Sequence, residues 1–259
     1  MNYPINDPYF RVEVLSKTER PNLLSYLAMH QCYSENVIID EVEGFSKLSE
    51  AELGKRVVNN CLKFGHWSVV EHPHITFCVS GFPHNVMVQA TRHRLLSFSV
   101  QSMRYTGERI NSLVHQIRLN AKGNLLEKKR TDAIEKLFYV RPLGTYHDRN
   151  GNKYEYSIKD KEEDLNTVIK SILDYDDRIK KGWSPEHARD LLVQNIRQDF
   201  VVTFNARSLL HFCDLRIPKD AQLEIQTLAQ MLFEKFKEWM PSVAQWYEKN
   251  RYAKNKLAP

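Results

Sequence analysis

Thr91–Tyr105 reads TRHRLLSFSVQSMRY, and it carries Arg92, His93, Arg94 and Arg104 without a single acid. Arginine offers a planar, permanently charged fork that suits phosphate. If the stretch is extended, Arg92 and Arg94 share one face and His93 takes the other; if it is helical, all three fan out. Either way one short segment reaches two ligands at once. Ser102 and the backbone N–H groups beside it complete a phosphate cradle, with Arg104 as a further cation. The chain has no G-x-G-x-x-G and no G-x-x-x-x-G-K-[ST], so neither a Rossmann nor a Walker loop is available to hold the anion.

The charge bias extends outward from this segment. Between Cys61 and Asn120 lie Lys63, Arg92, Arg94, Arg104, Arg109 and Arg118 against only Glu71 and Glu108. His66, His72, His74, His84, His93 and His115 fall in the same interval. Arginines set among apolar residues point to an anionic partner, a phosphate compound or a nucleic acid, rather than to a solvated basic face. Upstream, FGHWSVVEHPHITF brings His66, Glu71, His72 and His74 together in sequence. An H-x-H pair on a strand places both imidazoles on one face, but two histidines without cysteine make a poor metal site, and no metal is expected. Downstream, FNARSLLHFCDLR contains Asn205, Arg207, His211 and Arg216. Arg207 and His211 are four apart and share a helix face, while Leu209, Leu210 and Phe212 imply that the helix is largely buried. A buried arginine is costly unless paired, so these cations should meet carboxylates or a ligand.

The surrounding pattern mixes both kinds of secondary structure. FRVEVLSK, HITFCVSG and RQDFVVTFNA alternate or are β-branched like strands. RPNLLSYLAMHQCY is helical, with proline at its start. LSEAELGKRVVNNCLKFGH has Ser49 as N-cap and Glu52 completing a capping box, with an end expected at Gly65. PHNVMVQATRH starts a helix at Pro83. The turn cluster Asp148–Asn152 between alternating aromatics predicts a β-hairpin. KDKEEDLNTVIKSILDYDDRIKKG is amphipathic, and SPEHARDLL begins with Ser184 as N-cap and Pro185 behind it, without a capping box. RSLLHFCDLR and KDAQLEIQTLAQMLFEKFKEWM read as helices. These elements predict an α/β (α+β) fold, one mixed domain over 1–259, with helices packed on an antiparallel or mixed sheet.

Composition narrows the class. The chain has 259 residues, enough for a substantial core, and its 42% hydrophobic content is that of a soluble globular protein. There is no run of about 18 apolar residues, and the N-terminus lacks a basic region followed by an apolar one, so neither a membrane span nor a secretory signal is expected. Cys32, Cys61, Cys78 and Cys213 are far apart, as reduced thiols of a cytoplasmic protein would be.

Arg92-His93-Arg94, seven residues, then Ser102 resembles the signature of the flavin-dependent thymidylate synthases (the ThyX type). HWSVVEH resembles that family's His-x-Ser/Thr-x-x-Glu-His stretch, Gln89 lies three before Arg92, and SMRY resembles the end of the signature. Ala188-Arg189, NARSLLHFCDLR and AQLEIQ resemble the C-terminal blocks in order. The resemblance covers roughly residues 10 to 240, with the hairpin near 138–158 as an insertion. Departures are Val100 where the family has Glu, His211 where it often has Asn, and Leu192-Val193 for a common Leu-Pro.

The resemblance implies reductive methylation of dUMP to dTMP, with methylenetetrahydrofolate as carbon donor, FAD as cofactor and NADPH as reductant. It implies a homotetramer with shared active sites, no stable nucleic-acid partner and no membrane. It assigns His66, Ser68, Glu71, Arg92, His93, Arg94, Asn205, Arg207 and His211 to the flavin. Gln89, Arg92, Ser102, Met103, Arg104, Arg189 and Arg216 fall to dUMP. Arg216 and Ser102 are the catalytic candidates: Arg216 would stabilise negative charge at the N3 and O4 edge of the uracil, making C5 nucleophilic. Cys213 has no base beside it and reads as core. Rival expectations are alkylation of another pyrimidine nucleotide, a non-catalytic nucleic-acid-binding protein, and a metal hydrolase built on His66, His72 and His74.

Overall fold

A computed structural model describes residues 3–119, 128–148 and 150–254, so the ends of the expected 1–259 domain and Arg149 of the expected turn lie outside the described residues. In chain order come β1 (Arg11–Lys17), α1 (Pro21–Gln31), α2 (Val42–Ser46), α3 (Glu50–Asn60), β2 (His74–Pro83), α4 (His84–Ala90) and β3 (Ser97–Val100). Next are α5 (Glu108–Leu119), α6 (Lys128–Leu137), the hairpin strands β4 (Gly144–His147) and β5 (Lys153–Tyr156), and α7 (Ile158–Lys180). The chain continues through α8 (Pro185–Ala188), β6 (Arg197–Asn205), α9 (Ala206–Arg216), α10 (Leu223–Trp239) and α11 (Pro241–Asn250).

The main sheet is antiparallel with strand order β1-β2-β6-β3. Alternation decides its inner face. Ile75, Phe77 and Val79 of β2 and Phe200, Val202 and Phe204 of β6 are buried together with Leu209, Phe212, Leu228 and Phe233 of α9 and α10. A second apolar cluster joins α5, α6 and α7 through Ile110, Leu113, Ile134, Val168 and Ile172. At Gly81 the backbone has φ 79°. A Cβ there would stand 2.0 Å from the Tyr9 carbonyl oxygen, so only glycine fits this bulge. No described helix is long and apolar enough to cross a membrane.

Local signals mostly act as expected. Ser49 Oγ accepts from the Glu52 N–H and the Glu52 carboxylate accepts from the Ser49 N–H, closing the capping box. That α-helix stops at Asn60, however; a 3₁₀ turn, Leu62–Phe64, carries the chain to left-handed Gly65. The helix expected from Pro83 runs from His84 to Ala90, with Pro83 as N-cap at the end of β2, so Arg92, His93 and Arg94 lie beyond it in a turn, neither strand nor helix.

Candidate active site

The short edge strand β3 sets the layout of the site. It pairs Ser97 with Thr203 and Val100 with Phe200 of β6. Arg92–Leu96 therefore lie towards the Asn205 end of β6, and Gln101–Arg104 towards the Asp199 end. Phe98 and Val100 turn onto the main core, which is what the alternation SFSV requires.

At the Asn205 end a cavity of about 570 Å³ is lined by Arg92, His93, Arg94, Leu95, Leu96, Ser208, His211, Leu215 and Arg216. Three arginines line it and no carboxylate does. His93 does not act as a cation in this group. It is buried, and Arg216 Nε donates to its Nε2 at 3.1 Å, so that nitrogen must be unprotonated. Burial first, then the charge of Arg216 and the neighbouring His211, pull the His93 pKa down to about 4. The second anchor of Arg216 is the Gln89 carbonyl, which accepts from Nη2 at 3.2 Å. The Arg216 pKa is itself lowered by burial and then by Arg92. These guanidiniums face one another with no acid between them, as an anion site requires.

His211 packs edge-on to His93, ring centroids 5.5 Å apart, and its buried Nδ1 has no hydrogen-bond partner. Burial lowers its pKa, against the opposing charge of Asp214. Asp214, two residues before Arg216 on α9, is turned elsewhere: its carboxylate accepts from Arg251 at 2.8 Å and from the Tyr247 hydroxyl at 3.0 Å. Cys213 is fully buried, and burial pushes its thiol well above the ordinary value, as suits a core residue.

The same end of the sheet gathers the other residues expected at the flavin. Asn205 caps α9, its Oδ1 accepting from the Ser208 N–H at 2.7 Å. Arg207, one residue into that helix, is ion-paired to Glu71. Glu71 ends the 3₁₀ turn that starts at Ser68, and His66 is exposed just before it. His74 Nδ1 lies 2.7 Å from the His72 carbonyl oxygen, so the H-x-H pair closes on its own backbone. Among the described residues no three His, Cys, Asp or Glu side chains gather as a metal site.

The nucleotide set is divided. Arg92 and Arg216 line the cavity, and Gln89 is joined to it through the carbonyl that accepts from Arg216. Ser102, Met103 and Arg104 follow the other end of β3, whose four residues span about 10 Å at about 3.3 Å per strand residue. There Arg104 pairs with Glu186 at 3.7 Å, and Met103 packs against the apolar cluster that contains Ala188, the residue before Arg189. Arg118, counted among the local excess of cations, instead pairs with Asp176 and Asp177. One polar element escaped the sequence reading: Gln222 and the buried Glu224, both inside the AQLEIQ stretch, extend from Gln89 towards Arg141 of the hairpin region.

Comparison with known proteins gives the same answer as this layout. The family described as thymidylate synthase complementing protein matches residues 13–242. The flavin-dependent thymidylate synthase of Haloarcula marismortui is 29% identical over 96% of this chain and 99% of its own length. That of Thermococcus kodakarensis is 30% identical over 88% of this chain and 79% of its own. Among solved structures, the flavin-dependent thymidylate synthase of Helicobacter pylori complexed with FAD and dUMP superposes with a TM-score of 0.61 at 20% identity, covering 89% of this chain and 97% of that one. The UMP/dUMP methylase PolB of Streptomyces cacaoi superposes with a TM-score of 0.68 at 19% identity, covering 96% and 97%. With its acid-free arginine cavity and a family match running from β1 into α11, this chain belongs to the thymidylate synthase complementing proteins, the family of the flavin-dependent thymidylate synthases.

Proposed function

We propose that the protein methylates dUMP to dTMP, with methylenetetrahydrofolate as carbon donor and NADPH as reductant. Bound FAD supplies the hydride. The donor set fits such a cofactor: an acid-free cavity walled by Arg92, Arg94 and Arg216, with the orphaned Nδ1 of His211 opening a further polar contact. Arg92, Arg94 and Arg207 would neutralise the flavin pyrophosphate, with His66, Ser68, Glu71, His93, Asn205 and His211 around it. Side chains then do what a glycine loop and helix N-terminus do elsewhere.

The observation that carries the reading is the Arg216–His93 contact. A guanidinium held by an unprotonated imidazole and by a backbone carbonyl keeps its full charge and a fixed direction. Placed at the N3 and O4 edge of the uracil, Arg216 stabilises the charge drawn there and makes C5 nucleophilic without a cysteine. Gln89 and Arg92 would hold the same nucleotide.

Ser102, Met103, Arg104 and Arg189 would complete the site from another subunit of a homotetramer. Supporting this, Ser102 is not among the residues that line the arginine cavity of its own chain. A single domain over 1–259 is supported by β6, which follows Ile196 of one apolar cluster and feeds Phe200 into the other; the hairpin near 138–158 is read as an insertion. A cytoplasmic location suits this chemistry. The test is the visible absorption of the purified protein: oxidised-flavin bands that bleach with NADPH under anaerobic conditions are expected, and a protein that remains colourless after incubation with FAD refutes the reading.

A further inference from the structure

The amide of Gln89 is held in one direction by a relay that begins at a buried carboxylate. Glu224 is 1% exposed. Its Oε1 accepts from Arg141 Nη2 at 3.2 Å, and its Oε2 accepts from Gln222 Nε2 at 2.8 Å. A carboxylate in an ion pair accepts and does not donate. Gln222 must therefore turn its NH₂ towards Glu224 and its carbonyl oxygen away. That oxygen accepts from Gln89 Nε2 at 2.7 Å. The second Gln89 N–H goes to the Asn85 carbonyl at 3.2 Å, which also can only accept. Both donors of Gln89 are consumed. Its Oε1 is left without a partner among the described residues, and the backbone carbonyl of Gln89 itself holds Arg216.

We propose that Glu224 is a positioning residue for the nucleotide: through Gln222 it fixes Gln89 with Oε1 outward, so that Gln89 acts only as an acceptor and selects a hydrogen-bond donor on the ligand. The proposal rests on the reading of the site as a pyrimidine nucleotide site. On dUMP that donor is the ring N3–H or the ribose 3′-hydroxyl. An amide free to flip would present N–H to that donor half of the time and repel it; a fixed one does not. Arg141 neutralises Glu224, so the hairpin region takes part in holding the relay, although none of its described residues lines the arginine cavity.

The test is calorimetric binding of dUMP to the FAD-loaded protein, with flavin content as the control for folding. Glu224→Gln removes the acceptor-only origin of the relay. Gln222→Ala cuts it while leaving the Arg141–Glu224 pair in place, so it answers the question even if Glu224→Gln folds poorly. Each should weaken dUMP binding by about tenfold with flavin content unchanged. In a Gln89→Ala background neither change should weaken it further, because the relay acts only through Gln89; a merely structural effect would persist there. 2′,3′-Dideoxyuridine monophosphate separates the two donors: if the 3′-hydroxyl is the contact, wild type and variants bind it alike, and if N3–H is the contact the tenfold difference remains. Wild-type affinity in Gln222→Ala, or an undiminished loss in the Gln89→Ala background, overturns the proposal while the nucleotide site stands. A wild-type protein that binds flavin but no dUMP overturns the nucleotide reading itself, and this inference with it.

Discussion

Arg216 and His93, 123 residues apart in sequence, are joined by a single hydrogen bond, Nε to Nε2 at 3.1 Å. The imidazole must be neutral to accept it, and its depressed pKa keeps it so at ordinary pH. A signature that reads as three consecutive cations is therefore two cations and an anchor.

Arg216→Ala should still bind FAD and still be reduced by NADPH, yet lose about 10²–10³ in dTMP formation, the usual effect of removing one such electrostatic donor. Arg216→Lys should recover only part, since a point charge cannot reproduce the planar fork. Flavin reduction by stopped flow and dTMP yield under anaerobic conditions separate the two steps. Near wild-type dTMP formation by Arg216→Ala would remove its catalytic role.

His93 gives the protein an acid-sensitive element. Below its ordinary value of 6.5 the unfolded chain takes up a proton that the folded chain refuses until about pH 4. Stability from this residue is therefore full above pH 6.5 and is lost as pH falls through that window. His93→Gln retains an acceptor for Arg216 and does not titrate. Urea midpoints at pH 7.5 and 5.0 should fall with acid more steeply in wild type than in His93→Gln; equal slopes would show that His93 is not the group concerned.

Arg92→Ala and Arg207→Ala should lose flavin on gel filtration while staying folded. Arg207 is the more informative, because its partner Glu71 belongs to the same proposed flavin set. Flavin retained in full by both variants would contradict the assignment.

Ser102→Ala and Arg207→Ala alter separate places: Ser102 follows the Val100 end of β3, whereas Arg207 sits on α9, beyond the end of β6 that pairs with Ser97. If each active site takes its Ser102 and its Arg207 from different chains, mixed oligomers of the two inactive variants contain some sites with neither change. Partial activity should return after subunit exchange verified by mass spectrometry. Exchange without recovery would place both residues in one chain's site.

Asp214→Ala should cost about 3–5 kcal/mol of stability, because it leaves Arg251 as a cation without its buried carboxylate. The chemistry of the folded fraction should hardly change, since Asp214 does not touch Arg216. A loss of turnover without a loss of stability would return Asp214 to the site.

Local order was legible in the sequence, and long-range pairing was not. The alternation in β2 and β6 reports which face is buried, and Ser49 with Glu52 marks a helix start, because each signal is complete within a few residues. Helix α5 carried a readable period, Ile110, Leu113, Val114 and Ile117, that the charge of the neighbouring signature overshadowed. The capping box of α7 was hidden because Asp160, rather than Glu or Gln, closes it on Ser157. The candidate residues were legible as residue types, but their grouping was not. Nothing local says that Arg216 chooses His93 over Asp214, or that Asp214 chooses Arg251, just past the end of α11. The separation of Ser102 from Arg92 follows from a strand whose SFSV alternation is plain only once its partner, β6, is known.

The most direct measurement is the product of one anaerobic incubation: FAD-loaded protein with dUMP, NADPH and methylenetetrahydrofolate carrying a labelled methylene carbon, followed by separation of nucleotides. Label in dTMP, dependent on each component and abolished by Arg216→Ala, is the result predicted. Flavin that is bound and reduced while dUMP is recovered unmethylated would contradict the account.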